Sequence, residues 1–598
     1  MIERAKCKKC GAILKCDSAT GTGSMLRHHN SCSTSSASNV VSPQSAIRST
    51  KFQYEKFCEL LIEAIIRHDL PFSFVEYEGI RDVFSYISPA LKLPCRNTVK
   101  AHVLKLFKSE KVKLQTLLSS VQGRLCLTAD LWTSLATDGY LTITAHFVDS
   151  EWRLRKKIIN FCHMPPPHNG VALADKVNTL IGEWGIEKNL FSITLDNATA
   201  NDSFVEKLKT KLNFRGLLLM NGRFFHVRCC AHILNLIVQD GLKAIDPSVI
   251  KVRDCIKYIK GSSARKERFL ECVAQVGLRG SRRGLRQDVP TRWNSTYLML
   301  DSALYYRRAL MNLGLSDNDF KLCPVADEWA KIEKITKFLG YFYEVTCLFS
   351  GTKYPTSNLF FPKVFIVQHS IQEAMRDHDS FMRRMGMEMN LKFEKYWSDY
   401  SLILGIAVVM DPRFKMQFVE WAYDKLYGPN SSQLEVFNDT LSSLFDAYVE
   451  KSFDPNDSNY SIDEGSSQAQ GDHSLLEAFD NAYKIGSSSS LKTELSKYLD
   501  EVRLERKQEL DVLSWWKMEQ IRYPILFHLA RDVLTIPIST VASESAFSIG
   551  GRVLDQYRSS LLPDTVQALL CTRDWIFGNK DVFDLTLQDR SGEGESRN

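Results

Sequence analysis

Two groups of residues in this 598-residue chain have types and spacing that could do chemistry. Near the N-terminus, Cys7, Cys10, His28 and Cys32 follow the pattern C-x2-C-x17-H-x3-C. Two close thiolates, a finger-length loop and a second close pair suit Zn2+, which takes sulfur and imidazole nitrogen at the corners of a tetrahedron. A segment this short has little core of its own, so the metal would supply much of its folding free energy. Cys16 and His29 lie nearby and read as non-ligands. The second group is acidic. Asp130 ends a strand-like run after Leu127-Thr128-Ala129, and Asp196 ends another after Thr194-Leu195. Where two such strands are neighbours, carboxylates at like ends stand side by side. That placement suits a pair of Mg2+ ions, hard cations that clamp both sides of a phosphoryl displacement. Glu544, in the run Val541 to Gly551, is the candidate third acid if its helix packs on the sheet. An Asp at a strand end is also the ordinary turn or cap residue. With 70 acidic residues in the chain, chance triads are easy to find. Residue types alone leave both readings open.

The elements that would position these groups are legible in the periodicity. Arg124 to Asp130, Tyr140 to Asp149 and Trp152 to Phe161 read as three strands, the second alternating apolar and polar residues. Leu173, Val177, Leu180, Ile181 and Trp184 recur at helical spacing. A fourth strand, Phe191 to Asp196, and a fifth, Phe224 to Cys229, complete a mixed α/β order. Upstream, Phe52 to about Val121 is predicted helical, with Leu60, Leu61, Ala64 and Ile65 as one apolar stripe. From about Ala231 to Trp575 nearly everything reads as helix. Ser33 to Thr50, the acidic stretch Ser452 to Ser474 and the tail from Gln588 lack apolar periodicity and read as linkers. There is no internal repeat.

Composition narrows the function classes. A hydrophobic share of 44% and a charged share of 24% are ordinary for soluble protein, and a net charge of +6 permits a polyanionic partner. No apolar run is long enough to span a bilayer, and the start Met1-Ile2-Glu3-Arg4 leads into no signal peptide. These features predict an intracellular protein without a membrane partner, its 15 cysteines reduced or metal-bound. Arg279, Arg282, Arg283 and Arg286 cluster within eight residues, with Arg265, Lys266 and Arg268 upstream. They make either a phosphate-tracking stripe or a solvated face. From Leu495 to Trp575, Tyr498, Leu513, Trp515, Trp516, Tyr523 and Phe527 read as core or as an apolar self-association surface.

Longer phrases carry a resemblance. Gly21 to Cys32 looks like a BED-type zinc finger, although only six residues precede Cys7, where such fingers usually have an aromatic strand. The finger therefore reads as N-terminally shortened. TADLWTS, ITLDNATAND, HVRCCAHILNLIV, DVPTRWNSTY and IPISTVASESAFSIGGRVLDQYRSSL occur in the order found in hAT-family transposases and transposase-derived proteins. The resemblance runs from about Phe52 to Trp575. It implies a small zinc finger, a ribonuclease-H-like mixed-sheet core interrupted by a long all-helical insertion, and a helical C-terminal dimerisation region. The implied boundaries are a finger at 1–32, a linker at 33–50, helices at 51–121 and the first part of the core at 122–240. The insertion takes 241–490, with 452–474 disordered. The dimerisation region, carrying the last core helix, takes 491–576, and a tail takes 577–598.

By motif, the resemblance makes Asp130, Asp196 and Glu544 a magnesium-binding triad. It places His232, of the C-x-x-H pair with Cys229, near the scissile phosphate. Arg292 and Trp293 match a pair that holds an unstacked base, for which an indole face is a suitable platform. The implied protein binds double-stranded DNA, forms a homodimer or higher homo-oligomer and acts in the nucleus. A working Mg2+-dependent transposase is the alternative function, and a dimeric scaffold without DNA contact is a further one.

Overall fold

The computed structural model describes residues 3–7, 12–16, 28, 52–133, 138–243, 247–278, 284–290, 292–351, 354–397, 402–452, 493–554 and 561–578. The chain divides into two units, Met1–Glu59 and Leu60–Asn598. In the first, β1 (Glu3–Lys6) pairs antiparallel with β2 (Ile13–Cys16), and the Cys7 amide closes the hairpin on the Ala12 carbonyl at 2.8 Å. A short strand does precede Cys7, and it carries no aromatic residue. The linker at 33–50 lies outside the described residues.

The second unit is built on a five-stranded sheet of β3 (Leu125–Thr133), β4 (Gly139–Val148), β5 (Leu154–His163), β6 (Leu190–Leu195) and β7 (His226–Arg228). Its spatial order is β5-β4-β3-β6-β7, with β4 antiparallel to both neighbours and β6 and β7 parallel to β3. The helices that matter below are α1 (Arg96–Ser119), α2 (Gly170–Trp184), α3 (Thr199–Phe214), α4 (Cys230–Gly241), α5 (Pro247–Lys260), α6 (Trp293–Tyr305), α7 (Val541–Val553) and α8 (Pro563–Phe577). Helix α2 shows local control of its ends. The Asn169 side chain caps its first turn through the Ala172 amide, and Gly185 ends it at φ 68°, a conformation glycine adopts without strain.

Successive strand residues face opposite sides. Leu125, Leu127 and Ala129 pack with α2 and α3 residues such as Leu173, Val177, Phe204 and Leu208. On the other face, Tyr140, Ile158 and Phe161 pack on Ala546, Val553, Val566, Leu570 and Cys571 of α7 and α8. Helix α7 lies so close that a Cβ on Gly550 would stand 2.9 Å from the Phe161 ring. Helix α8 also closes the open edge of the sheet. Its Asp574 carboxylate accepts from the Ile158 amide at 2.8 Å, and the Trp575 indole donates to the Ile158 carbonyl at 2.7 Å.

Between α4 and residue 452 every described element is helical. A buried ionic hub joins this insertion, the sheet and the C-terminal region. The Asp532 carboxylate accepts from the Arg124 amide at 2.9 Å and the Tyr448 hydroxyl at 2.8 Å. The guanidiniums of Arg124 and Arg531 stand 4.0 and 3.8 Å away.

Two expectations are corrected here. Leu60 points outward, and the buried stripe is Leu61, Ile62, Ile65 and Ile66, one residue out of phase with the predicted one. Trp516, Tyr498 and Tyr523 form internal core rather than a surface. The Trp516 indole donates to the Met410 carbonyl and the Tyr498 hydroxyl to the Val409 carbonyl, both at 2.8 Å. The large apolar side chains that face outward here, among the described residues, are Val502, Met518, Ile521 and Leu562. The acidic stretch at 452–474, from 453 onward, and the tail beyond 578 lie outside the described residues. No helix among the described residues is long and apolar enough to cross a membrane.

Candidate functional site

Strand register brings the acids together. Thr128 on β3 is paired with Thr194 on the parallel β6. Asp130 and Asp196, each two residues further on, therefore reach the same carboxyl edge on the same face of the sheet. Helix α7 covers that face. Its Ser543 hydroxyl lies 2.8 Å from the Thr128 hydroxyl and 3.4 Å from that of Thr144, which seats the neighbouring Glu544 over the two strands. The result is electrostatic convergence. Burial, and then the negative charges of Asp196 and Glu544, push the Asp130 carboxyl up to about 7, against the opposing pull of the Leu131 amide.

Each acid is also held by a local donor. Asp130 accepts from the Leu131 amide at 2.8 Å, and Asp196 from the Ala198 amide at 3.2 Å and the Asn201 side chain. Glu544 accepts from the Thr540 hydroxyl at 3.0 Å. So held, no three His, Cys, Asp or Glu side chains among the described residues are close enough to enclose one ion. The donor chemistry nonetheless fits a hard divalent cation. Three carboxylates share one edge, burial and then the charges of the other two force Asp130 toward neutrality, and both polar atoms of the adjacent half-buried Asn197 side chain are themselves buried without a hydrogen-bond partner. A cleft of about 210 Å³ lined by Asp130, Asp196, His168 and Asn201 opens at this edge.

Cys229 follows β7, and His232 lies half-buried in the first turn of α4, at the same carboxyl edge. The Cys229 sulfur is buried, which pushes its thiol pKa up, and it lies 3.3 Å from the Thr540 hydroxyl. Thr540 thus bridges the C-x-x-H pair to Glu544. The Cys230 amide donates to the Ile538 carbonyl at 2.8 Å, and the Thr194 hydroxyl to the Pro537 carbonyl at 2.6 Å. These contacts tie segment 537–540 across the ends of β6 and α4. Sequence reasoning missed Thr128, Thr540 and Ser543. The available signal was the density of small hydroxyl residues from Ser539 to Ser545 just ahead of and within α7.

The other expected residues are placed as follows. Arg286 and Arg292 are exposed, and among the described residues neither guanidinium has an ion-pair partner. Trp293 is only 3% exposed and packs in the helical core, so as folded its indole offers no open face for a base. That corrects its reading as a stacking platform. Arg265 stacks over the Tyr258 ring at 4.0 Å, and Arg268 pairs with Asp317 at 3.4 Å. Arg279, Arg282 and Arg283 lie outside the described residues, as do Cys10 and Cys32. Cys7 stands at the end of the β1–β2 hairpin, and His28 has helical conformation.

Comparison with known proteins agrees with this architecture. The family described as the ZBED1 RNase-like domain matches residues 128–224, and its helical companion, the ZBED1 RNase-like helical domain, matches 227–338. The hAT family C-terminal dimerisation region matches 494–576. The hAT-like transposase, RNase-H fold family matches 358–448, a stretch that is helical here rather than part of the sheet. The zinc finger BED domain-containing protein RICESLEEPER 2 of Oryza sativa subsp. japonica is 36% identical over 541 residues, covering 88% of this chain and 75% of the relative. The zinc finger BED domain-containing protein DAYSLEEPER of Arabidopsis thaliana is 32% identical over 541 residues, 90% of this chain and 76% of that one. A Zea mays protein provisionally named AC transposase is 37% identical over 542 residues, 88% of this chain and 66% of its own length.

Proposed function

The chain belongs to the hAT family of transposases and transposase-derived proteins, and from that premise we propose that it is a zinc-containing, dimeric DNA-binding protein acting in the nucleus. The observation that carries this reading is the extent of its likeness to relatives named as zinc finger BED domain-containing proteins. The exposed Arg286 and Arg292, without ion-pair partners among the described residues, support DNA contact, because guanidinium forks match phosphate oxygens. The match to the dimerisation region supports self-association. Its surface would be drawn from outward side chains such as Ile521, 89% exposed, rather than from the internal Trp516.

One observation favours a second reading, a working transposase: the convergence of Asp130, Asp196 and Glu544 at one edge of the sheet. These three would hold Mg2+, which when bound neutralises phosphate charge and activates an attacking water or hydroxyl. The chain's own contribution is to fix the acids. Ser543 seats α7 on β3, and Thr540 and Asn201 aim Glu544 and Asp196. In this reading His232, in the first turn of α4 at the same edge, would exchange a proton with a phosphate-bound oxygen.

Titration of the full-length protein onto inverted-repeat DNA separates these readings. Binding without Mg2+-dependent nicking is the expected result for the DNA-binding role. Nicking by wild type that is lost in Asp196→Asn establishes the enzyme. Absence of any binding overturns both in favour of a protein-interaction scaffold.

The zinc assignment predicts one Zn2+ per chain in the purified full-length protein, read by elemental analysis. Cys10→Ser and Cys32→Ser should each lower that figure, since each removes one of four ligands. Wild-type protein without stoichiometric zinc overturns it.

A further inference from the structure

Residues 288–290 and 292–296, which include the candidate DNA-facing Arg292, are cross-linked to one another and held by a residue from a different helix. Asp288 is buried, and the Arg253 guanidinium from α5 grips its carboxylate with both arms, Nε to Oδ1 at 2.9 Å and Nη2 to Oδ2 at 2.7 Å. The Thr296 hydroxyl, from the first turn of α6, adds a third donor to Oδ2 at 3.1 Å. The loop is then stitched to itself. The Ser295 hydroxyl accepts from the Val289 amide at 2.8 Å and lies 2.6 Å from the Arg292 carbonyl, while the Arg292 amide donates to the Val289 carbonyl at 2.8 Å. At the other end, the Arg286 amide donates to the Ser302 hydroxyl at 3.0 Å. Trp293 anchors the whole by entering the helical core.

Asp288, Ser295, Thr296 and the Arg286, Val289 and Arg292 backbone groups are so used, and the guanidiniums of Arg286 and Arg292 are exposed without ion-pair partners among the described residues. A short loop bound this tightly has lost the freedom that would otherwise oppose the capture of a phosphate. Arg253 is itself largely buried, with 12% of its side chain exposed, and its hydrogen bonds to Asp288 raise its pKa further. It is therefore not a phosphate contact. We propose that the Arg253–Asp288 pair is a positioning clasp, holding the loop that presents Arg286 and Arg292 to a nucleic-acid backbone. The inference rests on the reading of this face as a DNA contact.

The test is a double-variant cycle on the full-length protein, titrated onto duplex DNA between 50 and 200 mM salt. Arg286→Ala/Arg292→Ala removes two phosphate contacts and should flatten the salt slope by about 2. Over that salt range wild type should then lose roughly tenfold more affinity than the variant. Asp288→Asn should reproduce most of that flattening with both arginines still present, and Arg253→Lys, which keeps the charge but not the fork, should fall between. In the Arg286→Ala/Arg292→Ala background Asp288→Asn should cost no further affinity. A general loss of fold would cost affinity in both backgrounds and so overturns the clasp. Wild-type binding with an unchanged slope in both Asp288→Asn and Arg253→Lys also overturns the clasp while leaving the DNA reading intact. Absence of wild-type binding overturns the DNA reading, and the clasp with it.

Discussion

Asp130→Asn should make the metal-free protein more stable at pH 8, by about 3 kcal/mol once partial solvent access to the site is allowed for. In the folded chain the Asp130 carboxyl titrates at about 7, against an ordinary 3.8, because burial and the charges of Asp196 and Glu544 oppose its ionisation. Between those two values the folded state keeps a proton that the unfolded state has already released. Wild-type stability therefore falls as pH rises from about 4 to 7 and is level above that. Asparagine has no proton to lose, so its curve lacks this decline, and the difference between the proteins grows from near zero at pH 4 to its full value at pH 8. Urea unfolding in EDTA at pH 5 and pH 8 reads it directly. Equal pH dependence in the two proteins would mean that burial and the two neighbouring acids do not hold the Asp130 carboxyl up. Adding Mg2+ at pH 8 should stabilise wild type and do less for Asp130→Asn, because the cation relieves the repulsion that the substitution has already removed.

The second large effect lies away from the acids. Asp532→Ala should lower stability by about 3–5 kcal/mol, the cost of leaving buried cationic groups without their counter-charge. Asp532 is 0% exposed and faces two guanidiniums, a backbone amide and a tyrosine hydroxyl. Asp532→Asn keeps an acceptor for the amide and the hydroxyl but loses the charge, and should fall between. The urea midpoint is the measurement. A loss under about 1 kcal/mol in the alanine variant would show that the two arginines find water on their own.

What the sequence disclosed and what it hid divide along the range of the interactions. All five strands of the sheet were legible because each is a local run of β-formers between turn residues, and the observed spans differ from the expected ones by only a few residues. The exposure of β4 was not legible. Leu141, Ile143, Ala145 and Phe147 alternate with Thr142, Thr144, His146 and Val148, which reads as one wet face, yet every residue of β4 is buried. The polar face is covered by a helix supplied some 400 residues later, and Thr144 meets Ser543 there. His146, buried with it, is pushed down to about 3 and stays neutral. Trp516 was ambiguous for a similar reason. Only the distant Met410 carbonyl turns an aromatic cluster into core. Asp130 and Asp196 stood out because strand ends can be read locally. Glu544 could be offered only on condition that its helix packs on the sheet, and it was the family resemblance that joined it to the two aspartates, because nothing in its own helix distinguishes it from other exposed acids.

The closing of β5 by α8 also sets a timetable for synthesis. Ile158 lies 416 residues before the Asp574 carboxylate that caps its amide. At roughly 5–20 residues per second, a ribosome takes about 20–80 s to make the intervening chain. For that time the nascent sheet has a bare edge and one uncovered apolar face, the conditions under which strands pair with the wrong neighbour. Production of this protein should therefore depend on chaperone supply and elongation rate more than its finished stability suggests. Polypeptides that stop short of α8 should aggregate rather than accumulate as soluble fragments.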